Sequence, residues 1–288
     1  MNKKLVSEAG FAPVKRAPKR LVMSIQGPVK SGKTRLALTA PKPIGYIAID
    51  IGGDEGPVDE FIPKDQEFSE DIQQVPIRMD PINYPDRTQY GYDKDGTRQF
   101  EDATSAAVQA AAEPAMSRFY VAYYASLANF RTTVIDTGTD FYELMRKASF
   151  GRLERVPQLA YTQLYGEYHK LIDDAFDTPG HNLIITHHLK EKREMVMNEK
   201  TGKKESQLSG IFDMAGFKEV KERVLVVFET WREDLAEPCD VTGLNVKFNG
   251  QIVDSRCSAA SMGKTFAYNY DFADVAMVLL GGKRSDWV

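Results

Sequence analysis

Residues 27–34 match the pattern G-x-x-x-x-G-K-[ST] at every fixed position. This pattern is typical of a glycine-rich loop that binds the phosphates of a nucleoside triphosphate through its backbone N–H groups. In such loops the lysine, here Lys33, contacts the β- and γ-phosphates, and the hydroxyl of the last residue, here Thr34, binds Mg²⁺. The chain is therefore predicted to fold around a triphosphate site.

The segments on either side of the loop fit the same structure. Residues 21–25 are apolar and predict a short buried strand. Residues 34–38 are good helix formers up to Pro41, which ends the helix. A strand, a glycine-rich turn and a helix start in this order bring backbone N–H groups and the positive end of the helix to the phosphates. The nucleotide-binding residues predicted from this match are Gly27, Pro28, Val29, Lys30, Ser31, Gly32, Lys33, Thr34 and Arg35.

The composition is that of a soluble α/β protein. The 288 residues, of which 42% are hydrophobic, are enough for one large core, and we expect a single domain over residues 20–288. The net charge is −4, so a nucleic-acid surface on this chain must be a local patch. Cys239 and Cys257 show neither metal-ligand spacing nor a disulfide framework, which fits a reducing cytoplasm. No apolar run reaches the roughly 18 residues of a membrane span.

Two segments depart from the pattern of a folded core. Residues 1–19 form a basic, proline-containing arm, which we expect to be a solvated tail or a nucleic-acid contact. Residues 57–98 contain five prolines and many charges without a sustained period. This second segment is predicted to be a loop-rich insertion, and insertions of this length are usually functional or partly disordered.

Strands and helices alternate along the rest of the chain. Apolar segments predict further strands at residues 44–50, 132–136, 181–188 and 223–230, and helices are predicted at residues 102–113, 115–130 and 158–176. Pro114 is expected to separate the first two of these helices. The alternation predicts an α/β fold with a mostly parallel sheet flanked by helices. Asn249-Gly250, between residues 244–248 and 251–257, predicts an additional C-terminal β-hairpin.

Hydrolysis of a triphosphate also needs an acid near the metal and a group that orients the attacking water. Asp136 ends an apolar strand and is predicted to be the metal acid, in the position of a Walker B aspartate. Many hexameric motor ATPases place a glutamate directly after this aspartate, whereas Thr137 follows here, which disfavours that subclass. The RecA-like branch takes its glutamate from the end of the strand after the loop, where this chain has Asp50, Asp54 and Glu55, and Glu55 is the predicted catalytic acid. Asp54 and a purely structural acidic turn remain open alternatives.

Two histidines, His187 and His188, end the fourth predicted strand. ATPases of this architecture keep a polar sensor at that position, which detects the γ-phosphate and signals to the next loop, and His187 is the predicted sensor. A histidine pair that is hydrogen-bonded at a strand end explains the sequence equally well. A metal site formed by the pair is disfavoured, because adjacent residues on an extended chain point to opposite faces.

The segment 190–204 is the densest local basic patch. Beyond the predicted sensor it is suited to bind a phosphodiester backbone when ATP is bound. It is also suited to be a solvated hairpin or to supply a basic finger to a neighbouring subunit, and the sequence leaves these alternatives open. Arg256 is a second candidate for charge stabilisation at the triphosphate.

Taken together, the loop at 27–34, the acidic turn at 50–55, residues 134–137 and the strand end at His187 resemble a family of phage-encoded ATPases. Members of that family have a RecA-like core alone and act in single-strand annealing and recombination. The resemblance extends over about residues 20–260. It implies an ATPase that uses ATP and Mg²⁺, binds single-stranded DNA, forms homo-oligomers and works beside a single-strand-binding protein. It also implies a metal acid at Asp136 and a catalytic acid at Glu55.

The predicted function is thus a Mg²⁺-dependent ATPase that binds single-stranded DNA in phage-type recombination or replication, in the cytoplasm of a bacterial host. ATP is expected because no base-reading motif of the G-protein type is evident. The main alternative is an assembly or packaging protein whose triphosphate switches its conformation or powers a motor. A small-molecule kinase with residues 190–204 as its lid is disfavoured, because such a lid needs several arginines and this segment has one, Arg193.

Overall fold

The structure is a computed structural model, and the residues it describes are 19–49, 61, 69, 71–79, 105–151, 158–197, 204–238 and 245–288. The strands among them are β1 (Val22–Gly27), β2 (Ile44–Ala48), β3 (Ile72–Pro76), β4 (Thr132–Asp136), β5 (Asn182–Met197), β6 (Lys204–Met214), β7 (Val226–Asp234), β8 (Val246–Ser255) and β9 (Thr265–Ala267). The α-helices among them are α1 (Lys33–Ala37), α2 (Ser105–Asn129), α3 (Gly138–Phe150), α4 (Tyr161–Asp177), α5 (Val220–Arg223) and α6 (Phe272–Leu280). None of these helices is long and apolar enough to span a membrane.

The strands form a mostly parallel sheet in the order β3-β2-β4-β5-β1-β7-β8-β9. The six strands from β3 to β7 in this order are mutually parallel, and β8 and β9 add an antiparallel edge. β6 pairs antiparallel with the outer part of β5. The predicted α/β architecture with a mostly parallel sheet is therefore confirmed.

Helices cover both faces of the sheet, which explains why its central strands are buried throughout. Every residue of β1, β2 and β4 is buried. Side chains along β1 alternate between two cores: Val22 packs in the core beneath α2 to α5, whereas Met23 and Ile25 pack in the core beneath α1 and α6. The phosphate loop, residues 27–34, thus extends from a strand that is fixed from both sides.

The carboxyl ends of the parallel strands meet at one edge of the sheet. β5 lies between β1 and β4, with Gly27 of β1 in register with His188 of β5. Asp136 is the last residue of β4. Residues far apart in sequence are therefore brought to the same edge, where ligands bind in open α/β sheets.

The C-terminal hairpin differs from the predicted one. Asn249 and Gly250 form no turn but lie inside β8, which pairs with β7 over its full length. Gly250 is needed there because a Cβ would lie 2.4 Å from the ring of Phe228. The glycine that suggested a turn is therefore explained by close packing against Phe228. β8 pairs antiparallel with β7 on one side and with β9 on the other.

The prediction that Pro114 separates two helices is also wrong. Pro114 lies inside α2, which runs without interruption from Ser105 to Asn129. Ala111, Ala112 and Ala115 are buried on either side of it. Pro114 cannot donate a backbone hydrogen bond, and burial of the helical turns on either side of it compensates for this loss.

The basic segment 190–204 is not a loop over its whole length. Residues up to Met197 belong to β5, and Lys204 begins β6. The outer parts of the two strands, residues 189–197 and 204–214, form a two-stranded antiparallel ribbon, in which Leu189 pairs with Met214 at the base. We refer to these residues as the ribbon; its geometry is that of the predicted hairpin alternative.

Several predicted features lie outside the described residues. These are residues 1–18 of the basic arm and all three candidate acids of the turn at 50–55. Within the predicted insertion at 57–98, residues 72–76 form β3, the edge strand next to β2. Part of this segment therefore belongs to the sheet, because its short apolar stretch pairs with β2.

Candidate active site

The phosphate loop leaves β1 at Gly27 and enters α1 at Lys33. Gly32 has a φ of 88°, in the left-handed region that favours glycine, and Lys30 has a φ of 62°. Gly27 has no room for a side chain, because a Cβ there would lie 2.4 Å from the carbonyl oxygen of Thr230. The loop therefore turns tightly at the start of α1, as the sequence pattern predicts.

The side chain of Lys33 is folded back over the loop. Lys33 is 7% exposed, and its ammonium group donates to the carbonyl oxygens of Gly27 at 3.0 Å and Pro28 at 2.6 Å. These contacts hold the positive charge inside the loop. An anion that enters the loop meets a cation that is already desolvated and oriented.

Asp136 is surrounded by hydroxyl donors at the end of β4. Its Oδ2 atom accepts hydrogen bonds from the hydroxyls of Thr34 at 2.6 Å and Tyr46 at 2.9 Å. Its Oδ1 atom accepts one from the hydroxyl of Thr186 on β5. Asp136 is 3% exposed, and these three donors offset the cost of burying its charge. The carboxylate and the hydroxyl at the end of the phosphate loop are thus in direct contact.

His187 is buried next to this cluster. Its Nδ1 atom lies 3.1 Å from the hydroxyl oxygen of Ser24, and its Nε2 atom has no hydrogen-bond partner among the described residues. A Cβ on Gly138 would lie 2.7 Å from Nε2, so this nitrogen faces the first residue of α3. Burial, reinforced by the nearby His188, lowers the pKa of His187 to about 3. The imidazole is therefore neutral at pH 7 and has one nitrogen available to a new partner.

The first turn of α3 connects Asp136 on β4 to the histidine pair on β5. Thr137 caps the helix: its hydroxyl accepts a hydrogen bond from the backbone N–H of Asp140 at 3.1 Å and donates one to the Asp140 carboxylate. The same carboxylate lies 3.8 Å from Nε2 of His188. The start of α3 is thus fixed both to the strand that carries Asp136 and to the strand that carries the histidines.

β7 supports the loop from the other side of β1. The hydroxyl of Ser31 in the loop lies 2.7 Å from the hydroxyl of Thr230, and both side chains are buried. On the opposite face of the sheet, the amide of Gln26 donates to the carboxylate of Glu229 at 2.7 Å. The residue before the loop and a residue within it are therefore both attached to β7.

Two adjoining clefts lie beside the loop. One, of about 300 Å³, is lined by residues 30–35 and Phe248. The other, of about 220 Å³, is lined by Gly32, Arg35 and Phe248 together with residues 268–271. The ring of Phe248 is close to the loop, since a Cβ on Gly32 would lie 3.1 Å from it. An aromatic surface thus adjoins the loop on the side away from Asp136.

The residues present fit a nucleotide with Mg²⁺. Lys33 holds a buried ammonium group within the loop, which suits the negative charge of a triphosphate. Thr34 and Asp136 offer a hydroxyl and a carboxylate oxygen 2.6 Å apart. Oxygen ligands of this kind suit Mg²⁺, which usually takes one or two from the protein and completes its shell with water and phosphate.

The structure brings most of the predicted site residues together. Lys33, Thr34 and Asp136 lie in one cluster, and His187 lies beside it. Glu55 lies outside the described residues. The prediction for Arg256 is wrong, because this residue lies at the opposite edge of the sheet. Its guanidinium donates there to the carbonyl oxygens of Glu222 and Arg223, and the adjacent Ser255 pairs with the first residue of β7.

Four site residues were not predicted from the sequence: Tyr46, Thr186, Thr230 and Phe248. Each lies inside a strand and belongs to no recognisable motif. The one available signal was position, since Thr186 directly precedes the two polar residues at the end of its strand. Their roles depend on contacts between strands, which a single sequence does not encode locally.

Comparisons with known proteins give one family assignment. No curated protein matches the chain significantly. A crystal structure of the RadB recombinase aligns with 92% of this chain and 92% of its own, at 13% sequence identity and a TM-score of 0.38, a similarity too low to add to the fold described above. A family model described as an AAA domain matches residues 19–238, well over half of the sequence, and the chain therefore belongs to the AAA domain family.

Proposed function

We propose that this protein is a Mg²⁺-dependent ATPase with a RecA-like core that binds single-stranded DNA in phage-type recombination or replication. One observation carries the proposal: the hydroxyl of Thr34, at the end of the phosphate loop, lies 2.6 Å from the buried carboxylate of Asp136. A phosphate-binding loop in contact with a strand-end carboxylate is the arrangement that triphosphate chemistry requires. Membership of the AAA domain family supports the nucleotide-binding part of the proposal.

In this proposal the residues of the loop, 27–35, bind the phosphates, and Lys33 stabilises the charge that develops on them. Thr34 and Asp136 hold Mg²⁺, directly or through its water shell. When bound, the metal neutralises charge on the β- and γ-phosphates and so lowers the barrier to hydrolysis. The three hydroxyl donors around Asp136 hold its carboxylate in one orientation.

Two further residues have proposed roles, one in sensing the terminal phosphate and one in hydrolysis. His187 is the proposed sensor of the terminal phosphate, because its buried Nε2 atom lacks a hydrogen-bond partner in the described part of the chain. Its lowered pKa keeps this nitrogen neutral, so it acts by hydrogen bonding rather than by charge. Glu55 is the proposed catalytic acid, on the strength of its place in the sequence after β2.

The cleft next to the loop suits a nucleobase. Phe248 and Tyr268 give it aromatic walls, on which the face of a base packs well. Arg35, at the end of α1, lines the same cleft. We propose that the adenine of ATP lies here, with its phosphates directed along the loop toward Asp136.

The ribbon is the proposed contact for single-stranded DNA. It begins at Leu189 within β5, two residues after the proposed sensor His187. Residues 190–213 contain six basic and five acidic residues, so charge alone attracts a phosphodiester backbone weakly. The exposed ring of Phe212 offers a surface on which a base stacks, and the exposed Leu208 adds apolar surface beside it on the ribbon. A homo-oligomer and a single-strand-binding protein are the proposed partners.

The test is steady-state ATP hydrolysis by the purified protein with and without single-stranded DNA. We expect turnover that requires Mg²⁺, rises with DNA and is lost in Lys33→Ala. Lys170→Ala is the matched control, because it removes an exposed lysine of α4 that lies outside the phosphate loop and pairs with Asp174. Turnover that is lost in Lys33→Ala but indifferent to DNA would favour a nucleotide switch or motor instead, and the absence of nucleotide binding would contradict the proposal as a whole.

A further inference from the structure

One hydroxyl group connects α3 to both strands of the ribbon at its base. The hydroxyl of Thr139 accepts a hydrogen bond from the backbone N–H of His188 at 3.0 Å and donates one to the carbonyl oxygen of Ala215 at 3.2 Å. His188 is the last residue before the ribbon on β5, and Ala215 is the first after it. The backbone N–H of Ala215 also donates to the carbonyl oxygen of His188 at 2.9 Å, so the two strands and the hydroxyl form one closed unit.

The backbone around this unit is packed closely. Gly216 has a φ of 87°, and a Cβ there would lie 3.1 Å from the Cα of Thr139. On its other side, Gly138 leaves no room for a side chain against Ile185 and His187 of β5. The first turn of α3 therefore lies wedged between β5 and the chain segment that leaves the ribbon, and it cannot move without them.

The same turn is connected to the phosphate loop. Thr139 follows Asp136 by three residues, and Asp136 bonds to Thr34 of the loop at 2.6 Å. Thr137 lies between them and caps α3 through Asp140, whose carboxylate is 3.8 Å from His188. One helical turn therefore connects the bonds of Asp136 to the hydroxyl of Thr139.

Beyond its base the ribbon has few anchors among the described side chains. Met214 is buried, and Asp213 is held by Lys218 at 2.7 Å and Lys221 at 3.0 Å. Further out, large apolar side chains are more than half exposed: Met195, Met197, Leu208, Ile211 and Phe212. Because the outer ribbon makes little contact with the core, its direction depends on the residues at its base.

We propose that Thr139 is a positioning residue that couples occupancy of the phosphate loop to the orientation of the ribbon. It acts through its two hydrogen bonds to the ribbon backbone, not by contact with the nucleotide. The inference rests on the proposed function to the extent that the loop binds a nucleotide. It does not depend on the ligand of the ribbon.

Hydrogen–deuterium exchange of the full chain, with and without Mg²⁺ and the non-hydrolysable analogue AMP-PNP, tests the proposal. In the wild-type protein we expect AMP-PNP to slow exchange in the ribbon-base segments 186–192 and 211–216. In Thr139→Val, which has the same shape but no hydroxyl, we expect this difference to fall by about threefold or more, as for residues that carry coupling. The dissociation constant of AMP-PNP is expected to stay within about fivefold of the wild-type value.

Two controls separate coupling from a structural role. Thr139→Ser keeps the hydroxyl and is expected to restore the exchange difference. Thr178→Val removes a threonine hydroxyl at the far end of α4, where it donates to the carbonyl oxygen of Asp174 at 2.9 Å, and is expected to leave the difference unchanged. If Thr139→Val does not fold, Thr139→Ala replaces it, because alanine is well tolerated inside a helix.

The outcomes are distinct. Normal AMP-PNP binding with an unchanged exchange difference in Thr139→Val would overturn the inference and leave the proposed function standing. Loss of the difference in Thr139→Ser as well as in Thr139→Val would also overturn it, since the hydroxyl would not be the cause. If the wild-type protein did not bind AMP-PNP at all, the proposed function would fail, and this inference with it.

Discussion

The hydroxyl of Thr230 supports the phosphate loop from the neighbouring strand. It lies 2.7 Å from the hydroxyl of Ser31, and both residues are buried. We expect Thr230→Val to leave Ser31 without its partner, at a cost of about 1–3 kcal/mol in the free energy of unfolding. The loop would then be less well ordered before nucleotide binds, and we expect affinity for ATP to fall by about fivefold to tenfold. Calorimetric titration with AMP-PNP and urea unfolding measure the two effects.

Thr230→Ser is the control for that substitution, because serine keeps the hydroxyl that Ser31 needs. It is expected to bind AMP-PNP with nearly the wild-type dissociation constant. If Thr230→Val bound the nucleotide as tightly as the wild-type protein, the contact would be one of packing only, and its role in ordering the loop would be ruled out.

Asp136 is expected to serve hydrolysis more than binding. Its carboxylate accepts hydrogen bonds from Thr34, Tyr46 and Thr186, and Asp136→Asn keeps its size but removes its charge. We expect Mg²⁺-dependent hydrolysis to fall by about 100-fold or more, while binding of ADP without metal changes little. Tyr46→Phe, which removes one donor but keeps the charge, is expected to cost far less. Equal losses in both variants would show that the hydrogen bonds, and not the charge, matter.

Residues with a local signature were predictable, and those that act across strands were not. Lys33 and Thr34 belong to one eight-residue pattern, and Asp136 was marked by its place at the end of an apolar strand. Thr186 and Thr230 carry no such signature. Thr186 meets Asp136 only after β5 has paired with β4, and Thr230 meets Ser31 only after β7 has paired with β1. The partners of a buried polar group are set by strand order, which a single sequence specifies weakly.

At the scale of elements, the outer ribbon is expected to be dispensable for folding. Its described apolar side chains beyond Met214 are exposed, so they contribute little to the core. We expect replacement of residues 192–211 by an Asn-Gly turn, joining Glu191 to Phe212 across an existing strand pair, to shift the unfolding temperature little and to preserve nucleotide affinity. Stimulation of hydrolysis by single-stranded DNA is expected to be lost. Scanning calorimetry, AMP-PNP titration and hydrolysis assays test these three expectations.

A matched variant separates loss of the ribbon from loss of its exposed side chains. Leu208→Ser with Phe212→Ser keeps the ribbon and removes two of its exposed apolar groups. We expect a marked loss of DNA stimulation in this variant too, because stacking of a base on an aromatic ring such as that of Phe212 is worth about 1–3 kcal/mol. Full stimulation in the shortened protein would exclude the ribbon as the DNA contact.

Elements were predicted well where the chain is apolar and poorly where one residue dominated the prediction. Short buried strands such as β1 and β4 follow directly from their apolar runs. Asn249-Gly250 is a strong turn signal, but Gly250 lies inside β8, where a side chain would collide with the ring of Phe228 on β7. Pro114 is a helix breaker that burial of the neighbouring alanines overrides. In both cases tertiary packing outweighs a local preference of about 1–3 kcal/mol.

At the scale of the whole molecule, the carboxyl ends and the amino ends of the parallel strands form two edges of the sheet that carry different groups. The carboxyl edge carries the phosphate loop, Asp136 and the ribbon, whereas the amino edge carries a buried polar network around His181. The ring of His181 is 2% exposed, with Nδ1 3.0 Å from the carbonyl oxygen of Phe130 and Nε2 2.9 Å from the hydroxyl of Thr133. The carbonyl requires a proton on Nδ1, so in the neutral imidazole Nε2 accepts from the hydroxyl of Thr133. Burial accordingly lowers the pKa of His181 to about 4.

This network makes the protein sensitive to mild acid. In the unfolded chain a histidine takes up a proton below about pH 6.5, whereas in the folded protein His181 does so only near pH 4. The unfolded state therefore binds more protons in this window, and His181 lowers stability by up to about 1.4 kcal/mol per pH unit as the pH falls through it. The effect is fully absent above pH 6.5 and grows no further below pH 4, where both states are protonated.

Urea unfolding of the wild-type protein and of His181→Gln, at several pH values from 7.5 to 4, tests this expectation. The variant is expected to be less stable at pH 7.5, because it loses its contacts with Phe130 and Thr133, but its stability is expected to fall less steeply on acidification. Carboxylates titrate in both proteins and cancel in the difference between their slopes. Parallel slopes would mean that the folded protein accepts a proton at His181 without penalty, and the neutral network at the amino edge would then be the wrong description of this core.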